Sequence, residues 1–596
     1  MQIELAEGTP AAFGAATLCE AFQITVGARS DRIALRTKGG AMQWTWGEYG
    51  ERVRRYAGGL AGLGVRPHDA IALLLVNRPE MNAVDMAAVH LGAVPFSIYA
   101  TSTAEQMRHL LVDSAARVVV TETAFLAKTR DAAAGTGVET IISIDGGGDL
   151  DLDGLAARGP AGFDFTATWR AVTPDQLLTI IYTSGTTGAP KGVELTHANM
   201  MFELRSIQAV RGLETDSRNI SYLPSAHIAD RMGLHYLHIA LGGTVTACAN
   251  PRELFEYVAE VRPTEFTGMP RVWEKLKAGL EAKFAAEPAE KRAAVQGAID
   301  AGLMRVRLEQ AGQPVPDALV AGCARADQLV FAPLRAVLGF DQTRAYFTGA
   351  APTPRDVLEF FHAIGIPIAE VWGMSELSCV ATANPPGEAK IGTVGKAMPG
   401  VEVALASDGE VLVRSPIVMR GYRNQPEQTR ETIDADGWLH TGDIGTLDAE
   451  GFLKIVDRKK ELIINANGKN MSPANIEATI KGSSPLIGQA CVIGDGRPYN
   501  VALLVLDPDG ALAYCRAQQL DLPLARLVEH PPLRAAIDAA IEKANGQLSR
   551  VEQIKRYALL PDEWLPAGDE LTPTMKLRRK PIAAKYADRI AALYEG

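Results

Sequence analysis

Between residues 70 and 122 the apolar pattern of the chain alternates between two periods. AIALLLVN (70–77) is an almost continuous apolar run, and PEMNAVDMAAVHLG (79–92) follows it at helical spacing. AVPFSIYA (93–100) is apolar again, Thr103 and Gln106 then form a helix-opening pair, and RVVVTE (117–122) closes the series. Short continuous apolar runs are strands buried on both faces, and such strands need helices packed over each face. The alternation therefore predicts a parallel α/β sheet. Just upstream, TWGEYGERVRRYAGGLAGL (45–63) carries a capping box at Thr45 and Glu48. Tyr49, Val53, Tyr56, Ala57, Leu60 and Leu63 follow at helical spacing, and Gly64 closes that helix.

A chain of 596 residues is too long for one hydrophobic core. Residues 274–340 are helical in pattern, and β-rich text returns at VEVALASDGEVLVRS (401–415). GFLKIVDRKKELIINANGK (451–469) then packs charges between apolar strands, which places a boundary near 457–460. The expected organisation is a large α/β domain of several subdomains, 1–457, and a small α/β domain, 458–596.

The second informative stretch is YTSGTTGAPKG (182–192), directly after the β-branched run LLTII (177–181). Gly185 and Gly188 let backbone N–H groups turn inward, and such a nest cradles phosphate oxygens. Thr183, Ser184, Thr186 and Thr187 add hydroxyl donors, and Lys191 adds positive charge. In the Walker loop the lysine follows the last glycine directly and a hydroxyl follows the lysine. Here Pro190 precedes Lys191 and Gly192 follows it, so that geometry, and with it a P-loop motor or GTPase, is excluded.

The formal net charge of −10 and the absence of a basic block argue against nucleic acid as a partner. Six cysteines without a CxxC pair indicate neither a zinc site nor a disulfide framework. The N-terminus lacks a basic stretch followed by an apolar core, and no apolar run approaches ~20 residues, so cytoplasmic residence is expected. Oligomeric state and peripheral association with a membrane are left open by the sequence.

YTSGTTGAPKG resembles the phosphate loop of the adenylate-forming superfamily, which comprises acyl-CoA synthetases, luciferases and the adenylation domains of peptide synthetases. Three further motifs stand in the superfamily's order. YFTGAAPTPRDVLEFFHAIGIPIAEVWGMSELS (346–378) holds a glycine-rich turn and ends in Trp372-Gly373-Met374-Ser375-Glu376. An aromatic face suits adenine, a serine hydroxyl can donate to the α-phosphate, and a carboxylate suits Mg²⁺. GWLHTGDIG (437–445) and DRKKEL (457–462) supply Asp443 and Arg458, which match the family's ribose contacts; a carboxylate can accept from both hydroxyls of a vicinal diol. LTPTMKLRRK (571–580) supplies Lys576, matching the lysine that relatives place against the α-phosphate and the attacking carboxylate.

The resemblance implies that Thr183, Ser184, Gly185, Thr186, Thr187, Gly188 and Lys191 hold the β- and γ-phosphates of ATP. It adds Gly349, Ala350, Glu370, Trp372, Ser375, Asp443, Arg458 and Lys460 to the nucleotide-binding set, and Thr183 and Glu376 to Mg²⁺. Lys576, Glu376 and Lys191 are the implied catalytic residues. Lys460 matches the family's hinge, about which the small domain turns to present GKNMSP (468–473) to coenzyme A through Gly468, Lys469 and Asn470. YLPSAHIADRMG (222–233) and RPTEFTGMPRVWEKL (262–276) resemble long-chain fatty acyl-CoA synthetases and implicate His227 and Arg231 in acyl binding. Asp230 stands where those enzymes usually have glutamate, and Met269 where they have valine. The Trp-Gly-Met-Ser-Glu form further resembles the bubblegum-type enzymes. The implied activity is conversion of a medium- to long-chain fatty acid to its adenylate and then to acyl-CoA. A ligase loading a carrier protein shares the same residues, and a non-catalytic nucleotide-binding protein is the alternative of another class.

Overall fold

The computed structural model describes residues 3–183, 189–465, 470–566, 568–572 and 575–595. The alternation at 70–122 forms a four-stranded, all-parallel sheet in the order Val94–Ser97, Ala70–Leu74, Val118–Thr121, Thr140–Ser143. Every residue of Ala70–Leu74 is buried. Every residue of the helix Pro79–His90 is buried too, because it lies between this sheet and the helix Trp46–Gly62. Both expected capping boxes are present, at Thr45/Glu48 and Thr103/Gln106.

Two further sheets have parallel centres. One joins Ile33–Thr37, Thr244–Ala247 and Arg218–Ser221, with Gln43–Thr45 antiparallel at its edge. The other joins Glu265–Thr267, Ala345–Thr348 and Ile368–Trp372, and then turns antiparallel through Thr382–Ala383 and Lys396–Ala397. The strands around 177–196 and 402–458 pair otherwise. Leu177–Thr183 pairs antiparallel with Lys191–Thr196, which pairs antiparallel with Gly421–Tyr422. A parallel crossover takes a dozen or more residues, and the connection from Thr183 to Lys191 is too short for one. Glu402–Leu405, Glu410–Arg414, Leu439–Leu447 and Leu453–Arg458 form a fully antiparallel sheet.

The helical segment resolves into Pro270–Ala285, Ala289–Gln310, Asp317–Ala326 and Ala332–Leu338. The first of these is seated by Trp273, fully buried and edge-on to Phe266 at 5.3 Å between ring centroids. Such pairs add to the large apolar area an indole removes from water.

Among the described residues, the apolar clusters that extend up to Ile455 share no member with those that begin at Ile463. The second group is built on the sheet Ile487–Ile493, Asn500–Leu506, Ile554–Leu560, whose central strand is wholly buried. The architecture is thus mixed α/β, with a large N-terminal part and a small C-terminal one. No helix among the described residues is long and apolar enough to cross a membrane.

Candidate active site

Antiparallel pairing of Leu439–Leu447 with Leu453–Arg458 makes Asp443 and Arg458 direct cross-strand partners. Arg458 Nε lies 2.7 Å from Asp443 Oδ1. The indole N–H of Trp372, at the end of Ile368–Trp372, donates to Asp443 Oδ2 at 2.8 Å. Burial raises the Asp443 pKa above the usual carboxylate range, opposed by the Arg458 guanidinium, the indole N–H and the Lys576 ammonium. Each carboxylate oxygen keeps a second lone pair, the acceptor a vicinal diol needs. Arg458 keeps 46 % of its side chain exposed, so this corner has an open side.

After Trp372 the chain must reverse within a few residues. A Cβ at Gly373 would lie 1.9 Å from the carbonyl oxygen of Cys379, so only glycine permits the reversal. Ser375–Leu377 forms one turn of 3₁₀-helix, and Ser378 and Cys379 follow with φ of 57° and 138°. Positive φ is costly for residues with a Cβ, and such strain concentrates at functional turns. The turn is tied down by the Ser378 hydroxyl, which donates to the Ile417 carbonyl at 2.7 Å, and by Glu203 Oε1, which accepts the Val380 N–H at 2.9 Å. Glu376 is thereby fixed, buried, with Oε1 accepting the Tyr422 hydroxyl at 2.8 Å. Ser375 is half-buried beside it.

Tyr422 also connects Glu376 to the hairpin that flanks the expected phosphate loop. Its strand pairs with Lys191–Thr196, and the Lys191 ammonium sits 4.8 Å from its ring centroid. Thr183 and Lys191 are opposite one another at the mouth of the hairpin, where the Thr183 hydroxyl donates to the Lys191 carbonyl at 3.4 Å. Ser184, Gly185, Thr186, Thr187 and Gly188 lie outside the described residues, as do Gly468 and Lys469.

Lys576 arrives from the other end of the chain. An isolated bridge between Leu571 and Leu577 closes its loop, and Met575 turns the chain with φ of 64°. The Thr572 N–H donates to the Lys576 carbonyl at 2.8 Å, and the Lys576 N–H to the Thr572 hydroxyl at 3.0 Å. The ammonium then stands within electrostatic reach of Arg458, Asp443, Glu376 and Glu461. Surrounding protein and the Arg458 charge lower its pKa below the usual lysine range, against the pull of those three carboxylates. Its exposure to solvent on one side limits the size of that shift but not its sign. Burial, assisted by Lys576, pushes the His227 imidazole down to about 4. His227 Nδ1 accepts the Ala229 N–H at 3.1 Å, so the neutral ring carries its proton on Nε2 as a donor.

Three of the expected residues have other surroundings. Arg231, expected at the acyl site, is 1 % exposed and its guanidinium is bound to Asp85, to the Tyr236 hydroxyl at 2.8 Å and to the Ser97 hydroxyl at 3.1 Å. A buried cation needs such a counter-charge, and here Asp85 supplies it. The Glu370 carboxylate accepts the Gly392 N–H at 2.9 Å, and burial pushes its pKa up to about 7. Lys460 is exposed in the turn after Leu453–Arg458 and is neighboured by Lys459, which is paired with Asp408 and, at 3.0 Å, Glu410. Gly349 and Ala350 form the turn after Ala345–Thr348, with Ala350 at φ 66°.

Sequence reasoning missed Tyr422 and Glu203. Tyr422 sits in the short segment GYRN, where nothing distinguishes it from an ordinary core aromatic. Glu203 sits on an apolar helix face, and a carboxylate there was the available signal.

A nucleotide corner, a metal-suited carboxylate and a lysine from the C-terminal part, on a two-part α/β frame, define an adenylate-forming enzyme fold. The chain belongs to the AMP-binding enzyme family: residues 22–423 match the family's main model and residues 460–596 that of the AMP-binding enzyme C-terminal domain. It is 54% identical, over 75% of this chain and 79% of the relative, to a Mycobacterium tuberculosis protein provisionally named fatty-acid–CoA ligase fadD11. It is 32% identical to the Xenopus laevis long-chain-fatty-acid–CoA ligase ACSBG2, over 100% of this chain and 86% of that one. In fold it is similar to the adenylation domain of a carboxylate reductase from Mycobacterium chelonae, with a TM-score of 0.74, 20% identity, and coverage of 100% of this chain and 94% of that one.

Proposed function

We propose that this protein joins a fatty acid to coenzyme A at the expense of ATP, through an acyl-adenylate. The observation that carries the reading is the convergence of Lys576 with Asp443, Arg458 and Glu376, which come from three well-separated segments. In the first step a carboxylate oxygen attacks the α-phosphorus in line, and pyrophosphate leaves. In the second the CoA thiolate attacks the acyl carbonyl, and AMP leaves. Neither step needs a covalent enzyme intermediate, so catalysis comes from positioning and from cations placed where charge develops.

Asp443 and Arg458 hold the ribose, Trp372 holds Asp443 in place, and Lys191 and Thr183 stand at the mouth of the phosphate loop. Lys576 meets the incoming carboxylate and the α-phosphate, and the His227 Nε2–H donor lies on the same side. Mg²⁺ fits the residues present: Glu376 has one oxygen taken by Tyr422 and one left. No group of three or more His, Cys, Asp or Glu among the described residues could cage an ion. Mg²⁺ commonly takes only one or two carboxylates, with phosphate oxygens and water completing its shell. When bound it neutralises charge on the phosphates.

The boundary at 457/458 and the pivot at Lys460 are part of the same proposal, as is CoA binding by Gly468, Lys469 and Asn470. The acyl chain is read as medium to long and unbranched, from the 222–233 and 262–276 motifs and the names of the relatives. Each buried methylene is worth about 0.8 kcal/mol, or roughly fourfold in affinity. AMP release measured with ATP, CoA and saturated acids from acetate to eicosanoate tests this. kcat/KM should climb from butyrate to around dodecanoate and then flatten. A maximum at acetate, or with an aromatic acid, overturns the chain-length assignment. Turnover with a carrier protein but not with free CoA overturns the acceptor.

A further inference from the structure

We propose that Arg271 and Lys275 are positioning residues for Lys576, clamping the C-terminal domain in the orientation that brings the lysine to the nucleotide corner. Both stand on Pro270–Ala285, and their i, i+4 spacing puts them on one face. Opposite them is the start of Pro508–Gln518 in the C-terminal domain. Arg271 Nη2 lies 2.6 Å from Asp507 Oδ2, and Lys275 Nζ lies 2.8 Å from Asp509 Oδ2.

The two pairs are unequal. Asp507 is the N-cap of its helix: Oδ1 accepts the Gly510 N–H at 2.9 Å, which leaves Oδ2 aimed at Arg271. The guanidinium is steadied in turn by Glu274 at 2.9 Å. Side-chain exposure is 33 % for Arg271 and 12 % for Asp507, so this pair is partly shielded from solvent. Lys275 and Asp509 are 47 % and 74 % exposed, and such pairs contribute little alone. Arg271 is therefore the principal member.

The clamp is anchored to the nucleotide side. The Trp273 indole N–H donates to the Gly268 and Phe347 carbonyls, at 3.0 and 3.2 Å. Phe347 lies in the strand that runs into the Gly349–Ala350 turn. Beside the clamp, Gly482 of the C-terminal domain comes so near Pro354 that a Cβ on it would be 3.4 Å from Pro354 Cγ. One rigid corner thus carries both the nucleotide turn and the contact that fixes the second domain. None of these four charged residues is among those assigned to ATP, Mg²⁺ or CoA.

The inference rests on the proposed assignment of Lys576 to adenylate formation, and its test is built to fail separately from that assignment. Arg271→Gln should slow single-turnover adenylate formation about tenfold, the scale of one charge-assisted hydrogen bond, while acyl transfer from supplied acyl-adenylate to CoA is undiminished. Asp507→Asn, which keeps the capping oxygen, should do the same, and the double variant should be no slower than either single one. Equal loss in both half-reactions, no loss in either, or additive losses overturns the clamp. A second readout needs no activity. In the substrate-free protein a short bis-maleimide should link cysteines introduced as Lys275→Cys and Asp509→Cys, with the two single variants setting the background of the native thiols. Adding Arg271→Gln should lower that yield several-fold. An unchanged yield overturns the clamp even if the enzyme proves to act on another substrate. A wild-type protein that makes no acyl-CoA overturns the function while leaving the cross-link result standing.

Discussion

Trp372 and Asp443, 71 positions apart, are joined by a 2.8 Å hydrogen bond from the indole N–H to Oδ2. The bond ties the end of the parallel sheet strand to the antiparallel sheet that carries Arg458. It makes the aromatic residue of the Trp-Gly-Met-Ser-Glu motif a support for the carboxylate proposed to bind the ribose.

Trp372→Phe keeps an aromatic ring and deletes that bond. ATP affinity should fall roughly tenfold or somewhat more, the scale of one hydrogen bond to a charged group. Calorimetric titration with ATP measures it, and unchanged affinity would leave the bond no role in nucleotide binding.

Lys576→Ala should remove a cation needed while the α-phosphate is attacked. Adenylate formation should fall on the order of 10²–10³-fold, as when other charge-stabilising donors are removed. Thioester formation from supplied acyl-adenylate should survive. If rapid-quench measurements show both steps falling together, the lysine is structural.

Glu376→Gln keeps the shape and the acceptor for the Tyr422 hydroxyl but removes the charge that suits Mg²⁺. Adenylation should need several-fold more Mg²⁺. Tyr422→Phe frees the glutamate without neutralising it and should have a smaller effect. Titrating Mg²⁺ against single-turnover adenylation separates the two, and coincident curves for wild type and Glu376→Gln would refute the metal assignment.

Lys460→Pro locks φ at the proposed pivot. Pyrophosphate release in a single turnover should persist while CoA transfer collapses. Normal steady-state turnover would place the pivot elsewhere.

Glu203 offers a test by pH. Burial pushes its pKa up to about 8, from an unfolded value near 4.3. Its raised folded-state pKa means that the folded protein holds a proton the unfolded chain releases. Stability from this group is therefore complete below about pH 4 and is lost as pH rises towards 8. Glu203→Gln keeps an oxygen for the Val380 N–H and cannot ionise. The melting temperature of the variant relative to wild type should rise between pH 5 and 8 and level off above. A flat difference across that range would mean that Glu203 stays charged in the fold.

Local rules made much of the fold legible. The capping boxes at Thr45 and Thr103, the buried strand at 70–74 and the buried helix at 79–90 depend on neighbours a few residues apart. So do the motif segments themselves, whose residue types suit phosphate, diol and divalent cation by their own chemistry. What local patterns leave open lies where a residue's partner is distant in the chain. Arg231 is assigned to the acyl site by the resemblance of its motif alone, and Asp85, which pairs with it, is 146 positions away. LLTII reads as a buried strand, but its antiparallel pairing with Lys191–Thr196 is not legible, because a strand's apolar pattern records burial and not the direction of its partner.

The order of the motifs, their residue types and the split between a large and a small part were determined by sequence, since periodicity and side-chain chemistry are local properties. That Tyr422 holds Glu376 beside Lys191, that Glu203 holds the turn at Val380, and that Arg271 meets Asp507 were decided only by tertiary structure. A charge or hydroxyl has no preferred partner until the fold has excluded water and set the distances over which it acts.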